Sequence, residues 1–440
     1  MFLRFGVENH RSIKTYQEIS LIATSLKDDE SSLFSVGEES ALRVSPVLAF
    51  YGANASGKST ALNALNFFID AICSSHTSKM PIGRTPYQPF LLEKEFSETP
   101  SKYDADFVIG DHRYHYGFIL DGKRILEEWL FSYPIAGDRQ ARSVLFHRNC
   151  ANEEEFYFGK NLRGANKAIA KLVRPNSLYL SAAAQNAHAQ LTPLYQYFDE
   201  KITRRLGDLF DHFLPEQILA YFSEDSTRLD KAVGYLAEAD TGITSVEFEK
   251  IPLDQKEIKF IGDFEQLLQS VTEDKEFVLP LKQEKARVKL MHRGADGRTY
   301  PIDIEKESSG TKSFIGLIGP ILIRLAEGGI IIVDELNSTL HPLLSRRLIQ
   351  LFLDTSINVG KAQLLFTTHD TSLLASGGLR RDQIWFAEKD NEGATHLYSM
   401  SEMKVRSRDN LESGYLHGRF GAVPYYGAWR EQETLFDKEK

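Results

Sequence analysis

Apolar and polar residues follow two different periods along this chain. Phe2 to Val7, Ile19 to Ile22 and Val47 to Tyr51 are short apolar-rich segments that predict strands, the last of them buried. Asp104 to Ile109 and Arg113 to Leu120 alternate apolar with polar residues across Gly110-Asp111, which predicts a hairpin. Ala61 to Ile72 has helical spacing. From Gly159 to Lys282 the pattern becomes mainly helical, rich in Leu, Ala and charge, as in Leu194 to Phe213. Strand-like segments return at Val288 to Met291 and Tyr300 to Ile304. Two continuous apolar runs, Gly329 to Val333 and Gln363 to Phe366, read as strands buried on both faces. No heptad pattern persists long enough for a coiled coil, and no internal repeat of fixed period stands out. The expected organisation is α/β: a mixed N-terminal lobe over 1–158, a mainly helical insertion over 159–282 and a C-terminal lobe over 283–440.

Composition narrows the class. A chain of 440 residues, 42% hydrophobic and 26% charged, can bury two or three cores and is not mainly disordered. A formal net charge of -9 excludes a surface that is basic all over, so any nucleic-acid contact would need a local patch. Lys201, Arg204 and Arg205, or Arg346, Arg347, Arg380 and Arg381, could supply one or could be solvated helix faces. Two cysteines, Cys73 and Cys150, give neither a metal spacing nor a disulfide framework, as expected in a reducing cytoplasm. Met1 to His10 lacks the apolar core of a signal peptide. The apolar stretch Phe314 to Val333 is broken by Pro320, Arg324 and Glu327, and burying charges in a bilayer costs about 2.5 to 3.5 kcal/mol each. A soluble cytoplasmic protein with no membrane partner is expected.

The chemistry concentrates in a few short motifs. Gly52-Ala53-Asn54-Ala55-Ser56-Gly57-Lys58-Ser59-Thr60 has two glycines four residues apart, then lysine and hydroxyl residues, between a strand and a helix. Gly52 and Gly57 let the backbone curl so that the N–H groups of Asn54, Ala55 and Ser56 point at phosphate oxygens. The helix N-terminus adds its partial positive charge there. Lys58 would reach the terminal phosphates, and Ser59, followed by Thr60, would ligate Mg²⁺. Asp334 and Glu335 end an apolar strand, where α/β sheets place ligands. Asp334 would hold the Mg²⁺ shell, and Glu335 would orient and deprotonate an attacking water. His369, at the end of the next strand, would sense the γ-phosphate. Glu307-Ser308-Ser309-Gly310-Thr311-Lys312 opens a helix as a second anion cradle, centred on Ser308 and Gly310. Two cradles on distant elements imply a dimer with nucleotide between subunits.

These motifs, in this order, resemble the ABC/SMC branch of ATPases, whose heads pair around two ATP molecules. Two residues depart from that pattern: Ser309 replaces the first signature glycine, and His341 stands where transporter-type members carry an aspartate. A narrower resemblance rests on Phe5 to Ile13, Glu307 to Lys312, Asp334-Glu335-Leu336 with Leu340-His341-Pro342, Arg381 to Phe386, and Tyr415-Leu416 with Gly418 to Pro424. These look like the prokaryotic OLD-like, RloA-type ATP-binding proteins of anti-phage systems such as the PARIS and Septu types. The resemblance implies an ABC/SMC-type P-loop ATPase head without a long coiled coil, Mg²⁺-dependent ATP hydrolysis and a homo-oligomer with ATP at its interfaces. It also implies a separate nuclease-like effector and a phage component as trigger. By the same resemblance Asn9 and Arg11 lie near the nucleotide and Gln88 joins the Mg²⁺ shell. Gly418 to Gly421 is either a partner-docking element or a tail packed on the core. The rival expectations are a DNA-clamping or DNA-repair ATPase of the SMC class and the ATPase subunit of a membrane transporter.

Overall fold

The computed structural model describes all residues except 38–41, 136–140, 206–214, 223–224, 239–241, 254, 257, 260–261, 264–283, 376–377, 406–408 and 424–440. The chain forms two compact units. The first comprises Met1–Leu206, Arg324–Ser338 and Ser345–Lys440, and the second Gly207–Ile323 and Thr339–Leu344.

The first unit is built on two sheets. One has strands in the order Phe156–Phe158, Ser143–Asn149, Ile125–Pro134, His112–Leu120, Ser101–Ile109, Phe2–Glu8 and Gln17–Ser20, all antiparallel. The hairpin lies where the alternation predicts, with Ile109 opposite His112 around Gly110-Asp111. The other sheet runs Ile202–Arg205, Ile330–Val333, Gln363–Thr367, Val47–Tyr51, Ile384–Lys389 and Thr395–Ser399. Its first five strands are parallel and the last is antiparallel. The buried runs Ile330–Val333, Gln363–Thr367 and Val47–Tyr51 are its centre, as their unbroken apolar pattern requires.

The helix Lys58–Ser74 supplies Leu65, Phe68 and Ile72 to a core cluster that also takes side chains from both sheets, among them Phe5, Phe118, Phe50 and Leu365. Phe68 stacks on Phe118 at 5.6 Å and Phe67 on Tyr103 at 4.8 Å between ring centroids. The sheets are also joined through a polar clamp. The buried Gln363 amide accepts from Phe2 N at 2.7 Å and donates to Phe2 O at 2.8 Å and Ser45 O at 3.3 Å. Backbone groups of the antiparallel sheet are therefore satisfied by a side chain of the parallel one.

Residues 159–282 are less helical than their pattern predicts. The run Leu194 to Phe213 is helix only within Thr192–Glu200, then becomes the strand Ile202–Arg205 against Ile330–Val333. Its last residues, 206–213, lie outside the described part. Pairing at the sheet edge overrides helical spacing because strand preference depends on the neighbours a segment can pack against. Residues 166–200 belong to the first unit. The second unit holds the helices Pro215–Phe222 and Ser226–Glu238 and an antiparallel sheet of Ile243–Pro252, Glu284–Arg293 and Thr299–Asp303. Arg287 spans that sheet to Asp303 with bonds of 2.6 and 2.7 Å. Among the described residues no helix is long and apolar enough to cross a membrane.

Replacing Gln363 by Leu should destabilise the protein by about 2 kcal/mol or more, because buried Phe2 and Ser45 groups lose their partners. Urea unfolding measures this, and an unchanged midpoint would contradict it. A second expectation concerns acid. His10 is 1% exposed, with Nδ1 2.8 Å from the Tyr103 hydroxyl and its ring against Phe67. Burial, aided by the charge of Arg11, pushes its pKa down from 6.5 to about 3. The folded protein thus keeps His10 neutral where the unfolded chain protonates it. This contribution is complete above pH 6.5 and is lost as the pH falls toward 3. Unfolding curves between about pH 4 and 7 should show that loss, and His10→Gln should flatten it. Equal pH slopes for the two proteins would refute the assignment.

Candidate functional site

The strand Val47–Tyr51 delivers the chain to Gly52 at the carboxyl edge of the parallel sheet, and the helix Lys58–Ser74 begins directly after Gly57. Both glycines are fixed by conformation and by crowding. Gly57 has φ 110°, and a Cβ there would lie 2.1 Å from Thr395 Oγ1; at Gly52, φ 153°, it would lie 2.4 Å from Ala387 O. Ala55 also holds a positive φ, 61°, which a non-glycine residue adopts at a cost. The hydroxyls of Thr60, Ser12 and Thr395 form a chain, Ser12 to Thr60 at 3.1 Å and Thr395 to Ser12 at 2.8 Å, with Thr395 Oγ1 3.0 Å from Ser56 O. Lys58 is 5% exposed, and its Nζ donates to Gly52 O at 2.9 Å and Ala53 O at 2.8 Å. Burial lowers its pKa from 10.5 to about 8, against the opposing pull of Glu335 and Asp334.

The acidic side meets this loop through Ser59. Its Oγ donates to Asp334 Oδ1 at 3.0 Å, and the same oxygen accepts from Thr367 Oγ1 at 2.6 Å. Thr367 Oγ1 in turn accepts the Glu335 N–H at 2.7 Å. Leu336 N donates to Thr367 O at 3.0 Å, and Glu335 itself sits at φ 53°. The turn after the acidic strand is thereby held in a sparsely populated conformation that points Glu335 outward. His369, after the Gln363–Thr367 strand, has its pKa lowered by burial and then by Lys58, which favours the neutral imidazole.

These elements surround one cavity of about 410 Å³, lined by residues 54–60 with Arg11, Ser12, Glu335, His369 and Lys389. That size and its few convergent polar groups suit a small ligand. The donor set also fits a triphosphate with Mg²⁺. Backbone amides at a helix N-terminus and Lys58 would face anionic oxygens, and the hard oxygens of Ser59 and Asp334, already 3.0 Å apart, suit a cation completed by phosphate and water.

Asn9 and Gln88 do not line this cavity. Asn9 is fully buried. Its amide donates to Phe96 O at 2.9 Å and Thr99 O at 2.6 Å and accepts from Phe90 N at 2.8 Å, so its side chain staples a loop and does not face the cavity. Gln88 is not among the cavity residues. Its Oε1 accepts from Arg11 Nε at 2.6 Å and its carbonyl from Arg11 N at 2.8 Å, so it orients Arg11 at the cavity. Ser308 and Gly310 belong to the second unit. Ser308 Oγ accepts from Thr311 N at 3.1 Å, capping the helix Ser309–Glu327. A Cβ on Gly310 would come 3.0 Å from Thr339 O.

Most of the basic clusters are spent on the fold. Arg380 pairs with Asp382 at 2.8 Å, both buried, and Arg381 with Asp28 at 2.8 Å. Arg204 binds Asn66 at 2.6 Å and also Asp70, and Lys201 meets Glu327 at 3.2 Å. Arg205 donates to Arg204 O at 3.2 Å. Arg346 and Arg347 are exposed. Ser12, Thr367, Thr395 and Lys389 were missed in the motif reading. Thr367 follows an apolar run in Thr-Thr-His-Asp and could have been suspected. Thr395 and Lys389 carry no local signal, because a strand pairing brings them to the loop.

No curated protein matches the chain. Two solved structures overlap it loosely. An Smc head bound to the C-winged helix domain of ScpA is 12% identical, covers 90% of this chain and 97% of its own, and has a TM-score of 0.42. An Smc head with an extended coiled coil, bound to the C-terminal domain of ScpA from Pyrococcus furiosus, is 13% identical, covers 90% and 96%, and scores 0.33. A family profile described as "AAA domain, putative AbiEii toxin, Type IV TA system" matches residues 47–375, from the strand before the phosphate loop to the helix after His369. The chain belongs to this AAA-domain family.

Proposed function

We propose that the protein is a Mg²⁺-dependent ATPase whose nucleotide state controls a separate effector in an anti-phage or toxin system. The observation that carries the catalytic part is the junction of Ser59, Asp334, Thr367 and Glu335, which ties the phosphate loop to the acidic strand around one cavity. Bound Mg²⁺ would neutralise developing phosphate charge. Ser59 and Asp334 are the residues that would hold it. Lys58 would exchange its bonds to Gly52 O and Ala53 O for phosphate oxygens. Glu335, held at the cavity by the bond of its N–H to Thr367, would accept a proton from water. His369, kept neutral by its surroundings, can donate to a phosphate oxygen or to that water. Arg11 adds positive charge at the same cavity.

The family's description as an AbiEii toxin and Type IV TA system, with the OLD-like, RloA-type motifs, supports the defence reading over DNA clamping. The engagement of Arg204, Arg380 and Arg381 within the fold removes much of the cationic surface that a clamp would use. An exposed Ser308, opening a long helix, suits a composite site in which one copy's helix terminus meets the nucleotide of another. Effector control then follows from differential affinity: nucleotide that binds only the closed assembly shifts the population toward it.

Lys58→Ala should abolish detectable nucleotide binding in equilibrium titration. Glu335→Gln should retain binding while turnover falls about 10² to 10⁴-fold, the usual weight of a general base. Parental turnover in the glutamine variant would remove Glu335 from that role. Ser308→Arg and Lys58→Ala, each inactive alone, should recover activity when mixed, because mixed oligomers restore an intact site. No recovery would show that each site is built within one chain.

A further inference from the structure

The helix Leu411–Leu416 and the turn after it carry the last of the resemblance motifs but none of the residues that line the cavity, and they touch the strand end before the phosphate loop and the loop after His369. Tyr415 is 7% exposed. Its ring lies 5.9 Å from Tyr51, the last residue before the phosphate loop, and stacks at 5.7 Å on Phe386 of the adjoining strand. Its hydroxyl donates to Ala422 O at 3.2 Å. One turn earlier, on the same helix face, Glu412 Oε1 accepts from Thr371 Oγ1 at 2.8 Å, two residues beyond His369.

The sequence around this helix is shaped to hold it there. A Cβ on Gly414 would lie 2.7 Å from the Phe420 ring, and one on Gly421 2.6 Å from the Tyr398 hydroxyl. Phe420 is 2% exposed, and Tyr398 donates to its carbonyl at 2.9 Å. The Gly-Arg-Phe-Gly segment is therefore packed on the core as a latch over the helix, while Pro424 lies outside the described residues. The Tyr51 hydroxyl and Asp370 Oδ2 are buried with no hydrogen-bond partner among the described residues. One belongs to the phosphate-loop strand and the other to the His369 loop. Unpaired groups of this kind are costly, so local bonding alone does not explain the arrangement.

We infer that Tyr415 and Glu412 are positioning residues: Tyr415 sets the start of the phosphate loop, Glu412 sets the His369 loop, and their shared helix keeps the two in register. The inference rests on reading Gly52–Thr60 as the nucleotide site. It divides the labour between the two residues. Loss of the Tyr415 ring frees Tyr51, and with it the start of the phosphate loop, and weakens nucleotide binding; loss of the Glu412 carboxylate frees Thr371 and slows turnover.

The test uses the full chain and the variants Tyr415→Leu, Tyr415→Phe, Glu412→Ala and Glu412→Gln. Amide hydrogen exchange without nucleotide should accelerate about tenfold at residues 52–56 in Tyr415→Leu, the weight of roughly one aromatic pair, and stay near the parent's rate in Tyr415→Phe, which keeps the ring. With ATP, the KM of Tyr415→Leu should rise about tenfold while kcat stays within about twofold; Glu412→Ala should show the reverse, and Glu412→Gln should recover the parent's kcat. Unchanged exchange at residues 52–56 in Tyr415→Leu, or equal losses in KM and kcat for both residues, overturns the inference. Failure of the parent to bind ATP would instead sink the nucleotide reading, and the exchange measurement would still decide whether the helix holds the loop.

Discussion

The functional edge of this protein depends on a hydrogen-bonded junction between three neighbouring parallel strands. Ser59 opens the helix after the first strand, Asp334 ends another, and Thr367 ends the strand between them. Their hydroxyl and carboxylate oxygens converge on Asp334 Oδ1. A parallel sheet makes this convergence possible because its carboxyl ends share one edge. The same Thr367 oxygen accepts the Glu335 N–H, so the turn that presents the proposed base is anchored to the group that would ligand the cation. Moving any of these three strand ends would disturb cation, loop and base together.

The rest of the first unit keeps that edge in place. The helix Lys58–Ser74 contributes to a core shared by both sheets, and Gln363 joins Phe2 to Ser45 at the far end of the strand that carries Thr367. Arg380 and Asp382 fasten the segment before the next strand to Thr24 and to residues 28 and 29. Charge that looked available for an external partner is therefore internal structure. A buried pair of this kind contributes geometry more reliably than stability.

Much of the site was legible because its signals are local. Two glycines, a lysine and a serine between strand and helix specify the loop by their own conformational needs, and an apolar run ending in Asp-Glu specifies the acidic edge. The residues that misled did so because their partners are remote. Asn9 and Gln88 lie near Arg11 in space, but only the folded chain shows that Asn9 spends its amide on Phe90, Phe96 and Thr99, and that Gln88 spends its oxygen on Arg11. Ile202–Arg205 and Ile243–Pro252 escaped a helical reading of 159–282 for the same reason, since each becomes a strand by pairing with a partner far along the sequence. Thr395 and Lys389 reach the loop through a pairing that no motif announces.

The central claim is that Ser59 and Asp334 form one cation-dependent nucleotide site. Equilibrium titration of ATP with and without Mg²⁺, on the parent and on Asp334→Asn, tests it most directly. The account predicts that Mg²⁺ strengthens ATP binding by the parent and that this gain is lost in the variant. An equal Mg²⁺ dependence in both proteins would contradict it.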